Sequence, residues 1–167
     1  MRLHSRNAYD RTARLSAIAA AAERIKAKSF TIDGKEVVRG PDGLSRFDDL
    51  RRREAALTAI LYAIDLIEHD DEHLRDRPFL DRKAPLALLL RNTGVGILFN
   101  EHIAEDGPVV FAHACRLGAE GIVSKKVDST YLSGPCRVWI KVRNPASIAA
   151  QRERSEIWNR SPTARAI

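Results

Sequence analysis

The residues best suited to chemistry lie in one stretch, Glu120 to Pro145, EGIVSKKVDSTYLSGPCRVWIKVRNP. A carboxylate and a glycine open a short apolar run that ends in Lys125 and Lys126. A polar loop follows, then a second apolar run with a cation at every other position. Ile122, Val123 and the run from Val138 to Val142 read as strands. Side chains alternate faces along a strand, so Trp139, Lys141 and Arg143 share one face, and Ile140 and Val142 the other. Two cations then stand on one face above an apolar underside expected to rest on a core. Ammonium and guanidinium groups both hold phosphate oxygens through charge-assisted hydrogen bonds, so phosphate is a fitting anion. Glu120 is out of place in a pure anion site and suggests a divalent metal neutralised between carboxylate and phosphate. A basic hairpin with solvated charges has the same spacing.

Several elements must position this hairpin. Leu3 to Arg6 reads as a strand end before a turn through Asn7 and Asp10. Thr12 is placed to cap a helix from Ala13 to Ile25, with Leu15, Ile18, Ala22 and Ile25 on one face. Ser29 to Val38 reads as a strand interrupted at Asp33-Gly34, and Gly40 to Gly43 as a turn. Ser45 with Asp48 resembles a capping box opening a helix through Leu57, with Arg51, Arg52 and Arg53 as its solvated face, though a face turned to DNA would look the same. Thr58 to Ile67 reads as a buried strand with Asp65 set into it. Asp81 is placed to cap a helix over Lys83 to Leu90, Gly96 to Ile103 reads as a strand, and Gly107 to Gly118 as a helix closed by its last glycine. Interleaved strands and helices with short connections predict an α+β fold with antiparallel sheets flanked by helices. Residues 1–150 are expected to form the domain, and 151–167 a polar tail around Trp158.

Bulk properties set limits on the rest. The 167 residues suffice for one domain with a real core. Lys+Arg 28 against Asp+Glu 22 gives a net charge of +6, which favours a polyanionic partner. Two cysteines, Cys115 and Cys136, form neither a CxxC pair nor a disulfide framework, so a reducing cytoplasm is expected. No apolar run reaches membrane-span length, and no signal peptide is read at the start. His69-Asp-Asp-Glu-His73 puts two histidines four apart, which on a helix could hold a metal, but the segment is polar and lacks the HExxH order. His102 and His113 read as structural. No nucleophile elbow or Walker A motif is present.

The paired segments EGIVSKK and WIKVRNP resemble the last two nucleotidyl-transfer motifs of ATP-dependent DNA ligases of the bacterial end-joining type. HSRNAYDRTARL from His4 resembles that family's arginine-bearing segment, FTIDGKEVV from Phe30 its DGE strand, and YAIDLIEH from Tyr62 the motif whose aromatic packs on adenine. LRDRPFLDRKAPL and FNEHI also have counterparts, so the resemblance runs from Arg2 to about Arg160. It implies a nucleotidyltransferase (ATP-grasp-like) adenylation domain that uses ATP with Mg²⁺ or Mn²⁺, acts on nicked double-stranded DNA in repair and recombination, and resides in a bacterial cytoplasm. Carried over residue by residue, Glu120 falls on the metal. Arg6, Lys125, Lys141 and Arg143 fall on the nucleotide or its phosphates, and Ile64 falls where the base-packing aromatic would be.

Departures from the family pattern carry their own implications. The family forms a lysyl-adenylate on the lysine of a KxDG motif upstream of the SRN segment, and these residues contain no KxDG. Thr31-Ile-Asp-Gly34 has the spacing, but a hydroxyl cannot form the phosphoramidate that a lysine amine forms. The resemblance therefore implies a domain incomplete at the N-terminus and unable to ligate alone. The alternatives are a non-catalytic nucleic-acid-binding remnant, or half of a split ligase completed by a separate KxDG-bearing segment or an end-joining partner. In the DGE-like strand, Lys35 stands in the glutamate's place, unless a bulge at Gly34 presents Glu36 to the metal. The oligonucleotide-binding barrel that follows in many ligases is also expected to be missing.

Overall fold

The computed structural model describes residues 1–40, 45–46, 48–134, 136–147 and 150–151. It divides into two compact units. Met1–Glu101 with Val127–Gly134 forms the first, and His102–Lys126 with Pro135–Ile167 the second.

The first unit is built on a mixed sheet. Its long strands β1 (Phe30–Arg39) and β3 (Ile60–His69) pair antiparallel. The short strand β2 (Ser45–Arg46) pairs with β1. On the far edge of β3 lie β4 (Glu72–His73), antiparallel, and β5 (Ile97–Phe99), parallel. The sheet is thus not wholly antiparallel as the pattern predicted: Gly96 feeds β5 alongside β3 in the same direction, and only three residues of the predicted Gly96–Ile103 run pair. Helix α1 (Ser16–Ala22) packs on β3 and β5, and α3 (Phe79–Leu89) packs on β3. Between β2 and β3 the chain makes a 3₁₀ turn (Asp48–Arg51) and the short helix α2 (Arg53–Ala56).

The core follows the periodicity of the sequence. Leu15, Ile18, Ala22 and Ile25, the predicted apolar face, are all buried, and they pack with Val38, Leu50, Ala63, Leu66, Leu74, Leu86, Leu90 and Ile97. The predicted caps differ. Thr12 does not cap α1; its Oγ1 accepts from Leu3 N at 2.9 Å and ties the N-terminal loop instead, and the helix starts at Ser16. Ser45 lies in β2 rather than at a helix start. Asp81 lies in the first turn of α3, which begins after Pro78, so its charge lies at the positive end of the helix dipole without capping it. The predicted turn at 41–43 lies outside the described residues.

The second unit contains α4 (Gly107–Arg116) and a two-stranded hairpin, β6 (Gly121–Lys125) with β7 (Trp139–Arg143). Helix α4 ends as predicted, with Gly118 at φ +74°, and packs on β6. The apolar underside of the hairpin does not rest on a core: Ile140 is 58% exposed and Val142 37%. Alternation told which face is apolar, not what covers it.

Candidate functional site

The hairpin of the second unit is held in unbroken register from Gly121 opposite Arg143 to Lys125 opposite Trp139. Residues directly opposite share a face, so Trp139, Lys141 and Arg143 lie on one side, as the alternation predicted, and Lys125 and Val123 join them. The ammonium of Lys125 stands 3.4 Å from the centre of the Trp139 ring, a cation–π contact that fixes a long side chain. Lys141 and Arg143 are exposed. Three cations from two strands on one face form a donor set that suits phosphate oxygens.

Glu120 enters this hairpin at a backbone corner. Gly121 has φ +146°, and a Cβ there would lie 2.1 Å from Val142 O, so only glycine fits. Asn144, just past β7 and 3% exposed, closes the corner from the other side. Its backbone N–H donates to Glu120 O and its Nδ2 to Ala119 O, both at 2.9 Å, while its Oδ1 accepts from Ala146 N at 3.0 Å. Ser147 completes the turn, its Oγ donating to Asn144 O at 2.9 Å. These bonds fix the peptide on both sides of Glu120, and the half-buried carboxylate starts from an ordered backbone. Pattern reading gave Asn144 no role of its own within the WIKVRNP segment. An asparagine before proline at a strand end was the signal available.

Among the described residues, no group of three or more His, Cys, Asp or Glu could hold a metal by itself. One carboxylate still fits Mg²⁺ or Mn²⁺, since such ions keep waters and take further ligands from substrate phosphates. His69 to His73 is a hairpin rather than a helix: Asp70 and Asp71 turn at φ +48° and +67° between β3 and β4. Its carboxylates have other partners. Asp70 Oδ1 accepts from Lys28 N at 2.7 Å, and Lys28 and Ser29 bond Asp71, holding its carboxyl below the usual carboxylate range.

The remaining candidates lie in the first unit. Arg6 is exposed in a tight loop closed by the His4–Asp10 bridge, with Ser5 N donating to Tyr9 O at 3.0 Å. In β1 a Cβ on Gly34 would lie 2.6 Å from Tyr62 O, which accounts for the glycine. The register does shift at Asp33/Gly34, but the extra residue sits on β3, at Ile64, and not on β1. Lys35 therefore lies on the face of Asp33, opposite Tyr62. Glu36 lies on the other face, opposite Leu61, with Phe30, Ile32 and Val38, so no bulge in β1 brings it round.

Asp65, the carboxylate set into an apolar strand, finds a partner that sequence reading missed. Arg82 on α3 donates from Nε and Nη2 to its two oxygens, each at 2.8 Å, and neither side chain has any exposure. Arg82 Nη1 also donates to Arg77 O and, at 3.1 Å, to Ser129 O. The guanidinium lies 6.0 Å from the Tyr131 ring centre, and Tyr131 N donates to Arg75 O at 2.8 Å, so residues 127–134 are tied to this network. Burial raises the Tyr131 hydroxyl pKa, as do the nearby Asp33 and Asp65 charges.

The family model described as ATP dependent DNA ligase domain matches residues 1–143. The multifunctional non-homologous end joining protein LigD of Pseudomonas aeruginosa is 35% identical over 147 residues, covering 86% of this chain and 18% of that protein. The crystal structure of the ligase domain of M. tuberculosis LigD superposes with a TM-score of 0.75 at 30% identity, covering 85% of this chain and 46% of that one. A mycobacterial DNA ligase D complexed with ATP and MES gives a TM-score of 0.76, covering 85% and 47%. The chain belongs to the ATP-dependent DNA ligase family. It spans slightly under half of those two ligase structures. No helix among the described residues is long and apolar enough to cross a membrane.

Proposed function

We propose that this chain is the part of a ligase adenylation domain that binds ATP and positions its phosphates, working in the repair of nicked double-stranded DNA in a bacterial cytoplasm. The observation that carries the reading is the unbroken β6–β7 register, which puts Lys125, Lys141 and Arg143 on one face of a hairpin that the backbone-locked Glu120 precedes. In this reading Lys141 and Arg143 neutralise the phosphates, and Lys125, braced on Trp139, adds a third cation. Arg6 contributes a further nucleotide contact, and Ile64 packs on the base. Glu120 holds Mg²⁺ or Mn²⁺, and Glu36, which lies on the other face of β1, is not part of that set. The ion, when bound, withdraws charge from the phosphates and makes phosphorus more open to attack. The cations and Glu120 act by position and charge, which suits phosphoryl chemistry.

The 167 residues contain no KxDG lysine, so formation of a lysyl-adenylate needs an amine from outside them. The net charge of +6 suits a DNA partner. The test is ATP carrying a labelled α-phosphate, incubated with the purified chain and Mg²⁺ or Mn²⁺. Saturable binding without covalent transfer is the expected result. Absence of binding sinks the reading, and stable transfer means a residue within this chain is the nucleophile.

A further inference from the structure

Strand β3 carries two register shifts against β1, and in both the extra residue is on β3, at Ile64 and Ile67. On its other edge β5 takes Leu61 to Ala63 and β4 takes Glu68 and His69, so no ladder gives Ile64 a partner. A bulged residue stays where it is only if its peptide groups find substitutes for the ladder. Here α3 supplies them. Lys83, 3% exposed, directs its ammonium to Asn100 O and, at 3.4 Å, to Ile64 O, with the Phe99 ring centre 4.4 Å away. Asn100 N donates in turn to Ala63 O at 2.9 Å, so Lys83 sits where the parallel ladder stops and the bulge begins. The preceding residue, Arg82, grips Asp65, so consecutive cations on one helix hold consecutive residues of the bulge. Burying an ammonium is costly unless carbonyl and ring contacts replace its water. A core position needing only volume would be served by leucine or methionine, so the charge is there for the carbonyls it holds.

We propose that Lys83 is a positioning residue for base recognition: by fixing the bulged Ile64 peptide it sets the surface against which the nucleotide base packs. This rests on the reading of Ile64 as the base-facing residue. A purely structural role would weaken every ligand together, whereas a positioning role separates base from phosphate.

The experiment titrates the full chain with ATP and, separately, with inorganic tripolyphosphate, both with Mg²⁺, in wild type, Lys83→Met and Lys83→Arg. The expected result is several-fold weaker ATP binding in Lys83→Met, unchanged tripolyphosphate binding, and substantial recovery of ATP binding in Lys83→Arg. Equal weakening of both ligands, or ATP affinity unchanged in Lys83→Met, overturns the proposal. Should Lys83→Met not fold, Lys83→Gln, which keeps a donor without the charge, reads the same ratio. Wild-type protein that binds tripolyphosphate but gains nothing from the base overturns the role of Ile64 and this inference with it. Wild-type protein that binds neither ligand overturns the phosphate reading of the hairpin as well.

Discussion

The two units of this chain hold their candidate residues by different physics. In the first, the residues around Ile64 rest on an apolar core that draws on α1, α2, α3 and both long strands. A fully buried bidentate ion pair, Asp65 with Arg82, lies beside them. In the second, no hydrophobic residue among the described ones is fully buried, and the buried residues are polar, Asn144 and Ser147. There the hairpin that carries Lys125, Lys141 and Arg143 is ordered by its backbone ladder and by the Asn144 corner. The contrast shows that the cationic hairpin is ordered chiefly by backbone hydrogen bonds, while the surface around Ile64 sits on packed apolar layers.

The largest effect that would sharpen this contrast comes from Asp65→Ala. Removing one partner leaves Arg82 buried and uncompensated, and should cost about 3–5 kcal/mol in urea denaturation. The Asp65→Leu, Arg82→Met double variant should regain most of that loss, because a buried pair is replaced rather than broken. Leu66→Ala, at a fully buried position, should cost about 2–5 kcal/mol. In the second unit the heavy loss should come from a polar residue instead. Asn144→Ala leaves the partly buried Ala119 O without that donor and opens the corner, at a cost of about 1–3 kcal/mol, which amide exchange in β6 and β7 would report.

A pH slope separates the units further. Burial depresses the pKa of Lys83, and Asp65 and Glu101 only partly restore it. The unfolded chain therefore binds a proton that the folded chain has already released, over the window from the lowered pKa up to the lysine's ordinary 10.5. Within that window stability rises with pH, and Lys83→Met should flatten this contribution in paired urea titrations. The smallest effect belongs to Ile140→Ala, on the exposed underside of the hairpin, which should change stability by no more than about 0.5 kcal/mol. A core-sized loss there would mean that this face is covered, and the contrast between units would fail.

How much could be read from sequence divides along the same line. The 3.6-residue period of Leu15, Ile18, Ala22 and Ile25 was legible because burial enforces it. The alternation of Trp139, Lys141 and Arg143 was legible because a strand has only two faces. Caps were not legible. A threonine that ties a loop, as Thr12 does to Leu3, has the same local sequence as one that caps a helix. Asp65 stood out in an apolar run, but its partner lies seventeen residues on, just before the predicted Lys83 to Leu90 helix, and nothing local marks Arg82 or Lys83 as buried. The DGE question turned on which strand carries the bulge, a property of the pair rather than of either strand, so β1 alone could not answer it. Asn144 was missed because its partners, Ala119 and Glu120, lie across the hairpin.

The central claim is that the Glu120–Arg143 hairpin binds phosphate and metal while the histidine-bearing turn at His69 does not. The direct test is titration of ATP with Mg²⁺ into wild type, Glu120→Ala, Lys141→Ala and His69→Ala. Weaker binding in the first two variants, with His69→Ala unchanged, is the predicted result. Equal ATP affinity in all four proteins would contradict it.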